Sequence, residues 1–360
     1  MRIERRTWVE ALVLLVAAVL AFAEIPSRVV EIWFSTGLYP RLQRVITPLS
    51  NMVPFAWLDV VCVAGVAAIL FFLIRAVRQA WRTRRWQPVG RAAWRLTVVA
   101  AAAYLVFLTL WGFNYRRVPM TARIVLDRPA PSSEDVLALG LDAVSRLNAL
   151  YADAHRIGWP EEVWRDARLR EAFAASQRLL ADAPLAEPGR LKQTMFGPYF
   201  RWSSVDGMVN PFGLEVLANP DLLPYERPFV IAHEWAHLAG YADESEANFV
   251  GWLTAIRADV PSQYSGWLFM FWQVNGEVGE EARAKLGAVL EDGPRADLNA
   301  IIERLRRGQL PAVRRAGWAV YDQYLKANRV EAGVRSYGAV LTLILRARFE
   351  AGWTPVRRIF

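Results

Sequence analysis

Three long apolar stretches dominate the first third of the chain. They cover about residues 8–25, 55–74 and 94–113, and most of the arginines of this region lie in the polar segments around them. Each stretch approaches the roughly 20 apolar residues that a helix needs to cross the hydrocarbon core of a bilayer. The pattern predicts three transmembrane helices. We therefore expect residues 1–113 to form a membrane anchor whose partner is the lipid bilayer.

After residue 114 the apolar positions recur mainly with the spacing of amphipathic helices. Between residues 190 and 220, Gly, Pro, aromatic and Val residues instead indicate short strands or ordered loops, and Gly207–Leu217 is the candidate edge strand for a substrate. This pattern predicts a mainly α domain over residues 114–360, with a small β/loop region. The predicted helices cover residues 133–155, 160–181, 243–258, 277–290, 295–307, 312–328 and 330–349.

The charge of the chain is concentrated beside the apolar stretches. The first 95 residues contain thirteen arginines and five acidic residues, which accounts for the whole formal charge of +8. A neutral remainder argues against a nucleic-acid partner. Six arginines lie between the second and third stretches, and the positive-inside rule makes that linker cytoplasmic. The third span should then run outward and place the domain on the extracytoplasmic side.

Two features bear on processing and compartment. Ala21-Phe22-Ala23 is an acceptable signal-peptidase site after a short apolar region, so cleavage of the first span stays open. Such cleavage would leave the other two spans, and the side on which the domain lies, unchanged. The single cysteine, Cys62, excludes an internal disulfide and does not indicate a redox compartment.

The pentapeptide His233-Glu234-Trp235-Ala236-His237 holds two of the three histidines of the chain. It matches HExxH, in which histidines one helical turn apart bind one zinc ion and the intervening glutamate serves as general base. Pro228 suits the first turn of this helix and Gly240 suits a left-handed cap at its end. We expect His233 and His237 to be metal ligands and Glu234 to be the base.

The third ligand should come from the acidic cluster that follows the motif. No other histidine or cysteine is close in sequence, and two histidines with one carboxylate leave the open position typical of catalytic zinc. Asp243 and Glu246 also form a capping-box pattern at the start of a helix, which would occupy both side chains. The spacing from His233 to Asp243 fits another ligand pattern, HExxHxxGxxD. Glu244, Glu246 and Asp243 are the three alternatives, and Glu244 is preferred.

Four segments together resemble the uncharacterised bacterial membrane family known as domain of unknown function 3810. They are WGFNY at 111–115, NPF at 210–212, HEWAHLAGYADESEANF at 233–249 and YDQYLKANRVEAGVRSY at 321–337. The resemblance implies a multi-pass protein of the bacterial inner membrane with a zincin-like peptidase domain. The run Glu244-x-x-Ala247-Asn248 also resembles the ExxA(D/N) element of gluzincin peptidases. That likeness implies that Glu244 is the ligand and that Asn248 supports it.

The expected function is that of a membrane-anchored zinc metallopeptidase that hydrolyses peptide or protein substrates in the cell envelope. Zn²⁺ would be held by His233, His237 and Glu244. A donor for the developing oxyanion is still required, and Tyr337 is the candidate, together with Arg335. The alternative is a membrane protein that binds a metal without proteolysis, as a scaffold or pseudoenzyme.

Overall fold

The N-terminal part of the chain is helical. The computed structural model describes residues 2–330 and 339–358. Its first elements are α1 (Arg2–Phe22), α2 (Ser27–Val29), α3 (Tyr39–Asn51), α4 (Trp57–Thr83) and α5 (Gln87–Leu110), and a π-helical segment, Val30–Leu38, joins α2 to α3. A short 3-10 turn, Gly112–Arg116, leads from α5 into the rest of the chain.

Two of the three predicted spans are helices long and apolar enough to cross a membrane, namely α4 and α5. The first predicted span, over about residues 8–25, is found only in a modified form. Residues Arg6–Phe22 and Ser27–Asn51 pass the same test together, as a pair of helices bent by 114°. By length and composition, the described residues contain two helices that could cross a membrane, or three if the bent pair counts as one span.

The helix α3 is inverted with respect to an ordinary surface helix. Its polar residues Gln43, Thr47 and Ser50 are buried, whereas the apolar Val45 and Leu49 are 60% and 59% exposed. The hydroxyl of Thr47 donates to the carbonyl of Leu214 at 2.8 Å, so the polar face packs on the region before the HExxH motif. The contact joins the segment between the first two predicted spans to a strand region more than 150 residues later in the chain.

The remaining helices confirm a mainly α architecture. The helices that follow are α6 (Met120–Arg123), α7 (Ser133–Ile157), α8 (Ala167–Leu180), α9 (Gly197–Ser203), α10 (Arg227–Leu238), α11 (Glu244–Ala255), α12 (Val260–Glu277), α13 (Glu280–Val289), α14 (Asp292–Gly308), α15 (Pro311–Ala327) and α16 (Ala339–Arg346). Neither α12 nor α9 was predicted. The helix predicted over 330–349 is helical only in α16 among the described residues, and its C-terminal end is a strand.

A small sheet lies in the predicted β/loop region. Strand β1 (Leu191–Lys192) is parallel to β3 (Glu215–Ala218), and β2 (Gly207–Asn210) is antiparallel to β3, in the order β1-β3-β2. The strand β2 is therefore at an edge of this sheet. Two further strands, β4 (Phe349–Glu350) and β5 (Thr354–Pro355), form a separate antiparallel pair.

One hydrophobic core joins both parts of the chain. It contains Trp235, Phe249 and Trp252 from α10 and α11 together with Leu108 and Trp111 from the end of α5. Residues on both sides of the predicted boundary at 113/114 thus pack in one core, while the predicted division into two domains stays a prediction. The helix of the HExxH motif lies directly against the elements that lead into the membrane spans.

Candidate metal centre

The helix α10 presents both histidines of the motif on one face. It begins at Arg227 with Pro228 in its first turn, and Gly240, with a φ of +84°, ends it in the left-handed conformation that was predicted. The imidazole rings of His233 and His237, one turn apart, have centroids separated by 4.7 Å. Local sequence therefore determines the first half of the site.

The helix α11 brings a carboxylate to these rings. The side chain of Asp243 caps α11 by accepting hydrogen bonds from the N–H groups of Ser245 (2.9 Å) and Glu246 (3.2 Å). Further along, the absence of a side chain at Gly251 allows close approach to α10, since a Cβ there would lie 2.9 Å from the Cα of His233. This contact holds the two helices together and places Glu244 opposite the histidines.

The resulting cluster has the geometry of a metal site. The Oε2 atom of Glu244 lies 3.4 Å from Nε2 of His233 and 3.6 Å from Nε2 of His237, and a ligand atom from each lies within 4.8 Å of the others. Ligands about 2.05 Å from a tetrahedral ion are separated by about 3.3 Å. Two imidazoles and one carboxylate are ligands that zinc accepts. These three residues could hold a metal ion, whereas Asp243 and Glu246 are not part of the cluster.

The hydrogen bonds around the cluster support this fit. Within the described residues, the buried Oε2 of Glu244 and Nδ1 of His233 have no hydrogen-bond partner. Buried polar atoms are rarely left in this state without a bound ion or water. The Nδ1 atom of His237 lies 2.7 Å from the carbonyl oxygen of Tyr241, which favours the tautomer whose Nε2 lone pair faces the cluster.

The charges of the metal-free cluster are strongly coupled. Burial opposes the ionisation of Glu244, yet the charges of His237 and His233 hold its pKa well below the usual range. Burial also disfavours the protonated form of His237, but the carboxylate of Glu244 raises the pKa of His237 to about 9. Without a metal ion, this pKa favours the protonated form of His237 at neutral pH, so metal binding would release a proton.

Glu234 lies beside the cluster and is buried, with 3% of its surface exposed. Burial raises the pKa of its carboxyl to about 7, against the opposing charges of His233 and His237. Gly207, the first residue of β2, touches this carboxylate so closely that any Cβ there would collide with Oε1. A carboxyl with a pKa near neutrality beside an edge strand suits a general base.

The structure corrects the capping box predicted for Asp243 and Glu246. Asp243 does cap the helix, but the carboxylate of Glu246 turns away from it. The backbone N–H of Met120 donates to Oε1 of Glu246, and Nη2 of Arg123 donates to Oε2 at 3.2 Å. Burial raises the pKa of Glu246, although Arg123 opposes the shift. Glu246 therefore anchors the segment after α5.

A tyrosine that the sequence prediction missed contacts the cluster. The hydroxyl of Tyr321, on α15, donates to Oε1 of Glu244 and leaves Oε2 directed at the histidines. The predicted oxyanion residues, Tyr337 and Arg335, lie outside the described residues. Asn248 is buried at 3% exposure, and the predicted support that it gives to the ligands stays a prediction.

The C-terminal end of α10 is held by side chains that precede it by more than 100 residues. The carbonyl oxygen of His237 accepts from Nε1 of Trp111 (3.2 Å), and that of Leu238 accepts from the hydroxyl of Tyr39 (2.8 Å). Nη1 of Arg117 donates to the carbonyl of Gly240 (2.9 Å). These donors satisfy carbonyls that a helix end leaves free, and they join the histidine helix to the membrane elements.

Comparison with known families agrees with the motifs. The model of the family described as "Protein of unknown function (DUF3810)" matches residues 34–345, and the chain belongs to this family. No curated protein and no solved structure matches the chain significantly. The mainly helical part of the fold prediction is confirmed, with two helices long and apolar enough to cross a membrane, while its zincin-like part stays a prediction.

Proposed function

We propose that this member of the DUF3810 family is a membrane-anchored, zinc-dependent hydrolase of peptide bonds. The observation that carries the proposal is the position of Glu244 Oε2, 3.4 and 3.6 Å from the Nε2 atoms of a HExxH histidine pair. The buried carboxylate of Glu234 on the same helix supplies the base that a metal-binding scaffold would not need. The extracytoplasmic location of the site is part of the proposal and rests on the placement of the arginines.

The zinc ion would be held by His233, His237 and Glu244. When bound, it would lower the pKa of a water molecule and polarise the scissile carbonyl. The carboxylate of Glu234 accepts the proton of the attacking water and later donates it to the leaving amine. Tyr321 acts as a positioning residue, because its hydrogen bond to Oε1 keeps Oε2 of Glu244 available to the metal.

The edge strand β2 is the proposed binding site for the peptide backbone. It pairs with β3 on one side, and its first residue, Gly207, lies against Glu234. An extended peptide that adds to this edge would pass the base and the metal ligands. The missing side chain at Gly207 keeps the base and the strand in contact, and any larger residue here would displace the carboxylate of Glu234.

The proposal is tested with Glu234→Gln in the full-length chain. The amide fills the same space but cannot accept the proton of the water, so we expect bound zinc to be retained and hydrolysis to be abolished. The measurements are metal analysis and cleavage of a quenched fluorescent peptide library. His233→Ala is the matched control and should lose the metal. Full hydrolysis by Glu234→Gln would contradict the peptidase mechanism.

A further inference from the structure

The apolar face of α3 points away from the rest of the protein. Helices on a water-exposed surface bury their apolar side and expose their polar side, and α3 does the opposite. Leu38, Val45, Leu49 and Met52 are between 44% and 77% exposed in and beside this helix. A helix with this pattern next to apolar spanning helices suits a position where its outer face contacts lipid. The region against which α3 packs is thus close to the bilayer.

A second apolar surface lies on the short helix α9. Met195, Tyr199 and Trp202 are 58%, 40% and 42% exposed. The loop before α9 is fixed to the first turn of the span α4, because Asp59 accepts hydrogen bonds from the backbone N–H of Met195 (2.8 Å) and from Thr194. This surface therefore lies at the height where α4 enters the bilayer.

Three more contacts place neighbouring elements at the same height. Phe212, in the turn between β2 and β3, is 38% exposed, and its ring lies 6.5 Å from that of Phe107 near the end of the span α5. Tyr324 on α15 lies 6.4 Å from the same ring. Just beyond α15, Nη2 of Arg329 donates to the carbonyl of Ala23, directly after α1, at 2.7 Å.

The exposed apolar side chains are concentrated on these elements. Among the described residues after 114, six of the ten exposed large apolar side chains lie on or just before α9 and α15, or in the turn between β2 and β3. They are Met195, Tyr199, Trp202, Phe212, Leu310 and Val320, and Val320 is 71% exposed. Leu310 is joined to α9 because its N–H donates to the carbonyl of Trp202 at 3.0 Å. Such a concentration marks an interaction surface.

We infer that this surface, formed by α9, the turn between β2 and β3, and α15, rests on the lipid bilayer. It is continuous with the ends of α4 and α5, and it contains the Trp and Tyr side chains that favour the membrane interface. Lipid is the occupant because these contacts hold the surface level with the ends of the spans. The domain that carries the metal cluster thus lies on the membrane, rather than above it on a linker.

The position of the cluster then limits its substrates. The ring of His237 is 6.3 Å from that of Trp111, which directly follows the span α5, and Tyr321 adjoins the exposed Val320. The cluster consequently lies close to the bilayer surface. Resting on the proposed function, this assigns the substrate class as polypeptide segments tethered to the membrane, such as those next to a span or a lipid anchor.

The contact is tested by spin labels on the full-length chain in vesicles of phosphatidylethanolamine and phosphatidylglycerol. The variant Cys62→Ala provides the background, and single labels are placed with Leu49→Cys, Trp202→Cys and Trp272→Cys. Trp272, 39% exposed on α12, matches Trp202 in residue type and exposure, but α12 packs on α7, α10 and α11. Collision rates with oxygen and with a water-soluble nickel chelate are measured.

We expect the label at position 202 to shift toward oxygen, as at position 49, while the label at 272 collides mainly with nickel. A label at 202 that behaves like the one at 272 would overturn the inference. This measurement needs no catalysis.

A peptide library with a palmitoyl anchor should also be cleaved faster than the same peptides in solution, and faster cleavage of the free peptides would overturn the substrate class. If neither form is cleaved while position 202 contacts lipid, the hydrolase proposal fails and the membrane contact stands.

Discussion

Two buried glutamates of this protein differ in how their charges are satisfied. The carboxylate of Glu215, at the junction of the sheet and the spans, accepts from Nζ of Lys192 (2.8 Å) and Nδ2 of Asn210 (2.9 Å). It also accepts from the N–H groups of Trp57 (3.0 Å) and Leu58 (2.8 Å), which begin the span α4. Burial opposes its ionisation, but these hydrogen bonds lower the pKa of Glu215.

Glu244 is equally buried, yet only Oε1 has a hydrogen-bond partner within the described residues. Glu234 likewise has an unpaired oxygen, Oε2. A buried charge whose oxygens are all paired is explained by structure alone, because removing it from water is compensated within the protein. The Oε2 atom of Glu244 instead faces two imidazoles and accepts no hydrogen bond from the described residues, which suits an atom that binds a metal ion. The difference separates a structural junction from a binding site.

The largest loss of stability is expected from a substitution that breaks the structural junction at Glu215. In Lys192→Met, Glu215 keeps its burial but loses its cation, and leaving one partner of a buried pair uncompensated costs about 3–5 kcal/mol. We expect a clearly lower melting temperature, measured by thermal unfolding of the full-length chain in detergent. The folded fraction should still bind zinc, since the metal ligands are untouched. An unchanged melting temperature together with lost zinc would reverse the roles of the two sites.

A smaller effect is expected from Glu246→Ala. The substitution leaves the guanidinium of Arg123 and the N–H of Met120 without their acceptor, and an unsatisfied buried donor costs about 1–3 kcal/mol. Asp243→Ala is the matched comparison and should cost about 1 kcal/mol, the scale of a lost helix cap. Chemical denaturation of both variants measures the difference. A larger loss in Asp243→Ala would contradict the assignment of Glu246 to the anchoring of α6.

The pH dependence of metal binding follows from the charges of the cluster. Because His237 has a pKa of about 9 in the metal-free chain, zinc must displace its proton at pH 8, where Glu234, with a pKa of about 7, is already largely ionised. We expect release of about one proton per zinc at pH 8, and an affinity that weakens up to about tenfold per unit as the pH falls below 9. Zinc titration in weak buffer with a pH indicator measures the release. An affinity independent of pH between 7 and 9 would contradict this coupling.

The sequence allowed prediction of those parts of the site that depend on local structure. The helix α10 and its end at Gly240 follow from neighbouring residues, and HExxH spacing alone puts both imidazoles on one face. The capping pattern of Asp243 and Glu246 and the likeness to the ExxA(D/N) element favoured Glu244 as the ligand. Glu244 is the acid that lies at the histidines.

Contacts between distant segments could not be predicted in this way. Tyr321 reaches Glu244 across 77 residues, and Met120 reaches Glu246 across 126. The capping-box interpretation failed for Glu246 because a distant N–H and a buried guanidinium compete for its carboxylate. Tyr321 lies in a segment that carries the family resemblance, which was the available signal. The inverted pattern of α3 was equally visible, but its meaning depends on which face packs against protein.

The central claim, that Glu244 completes a metal site with His233 and His237, is tested most directly by zinc content. The full-length chain, Glu244→Ala and Glu246→Ala are equilibrated against the same series of chelator-buffered zinc concentrations, and bound metal is counted per chain. We expect one zinc in the unaltered chain, an affinity at least about 10–100-fold weaker in Glu244→Ala, and unchanged zinc binding in Glu246→Ala. Full zinc in Glu244→Ala beside a zinc-free Glu246→Ala would contradict the claim.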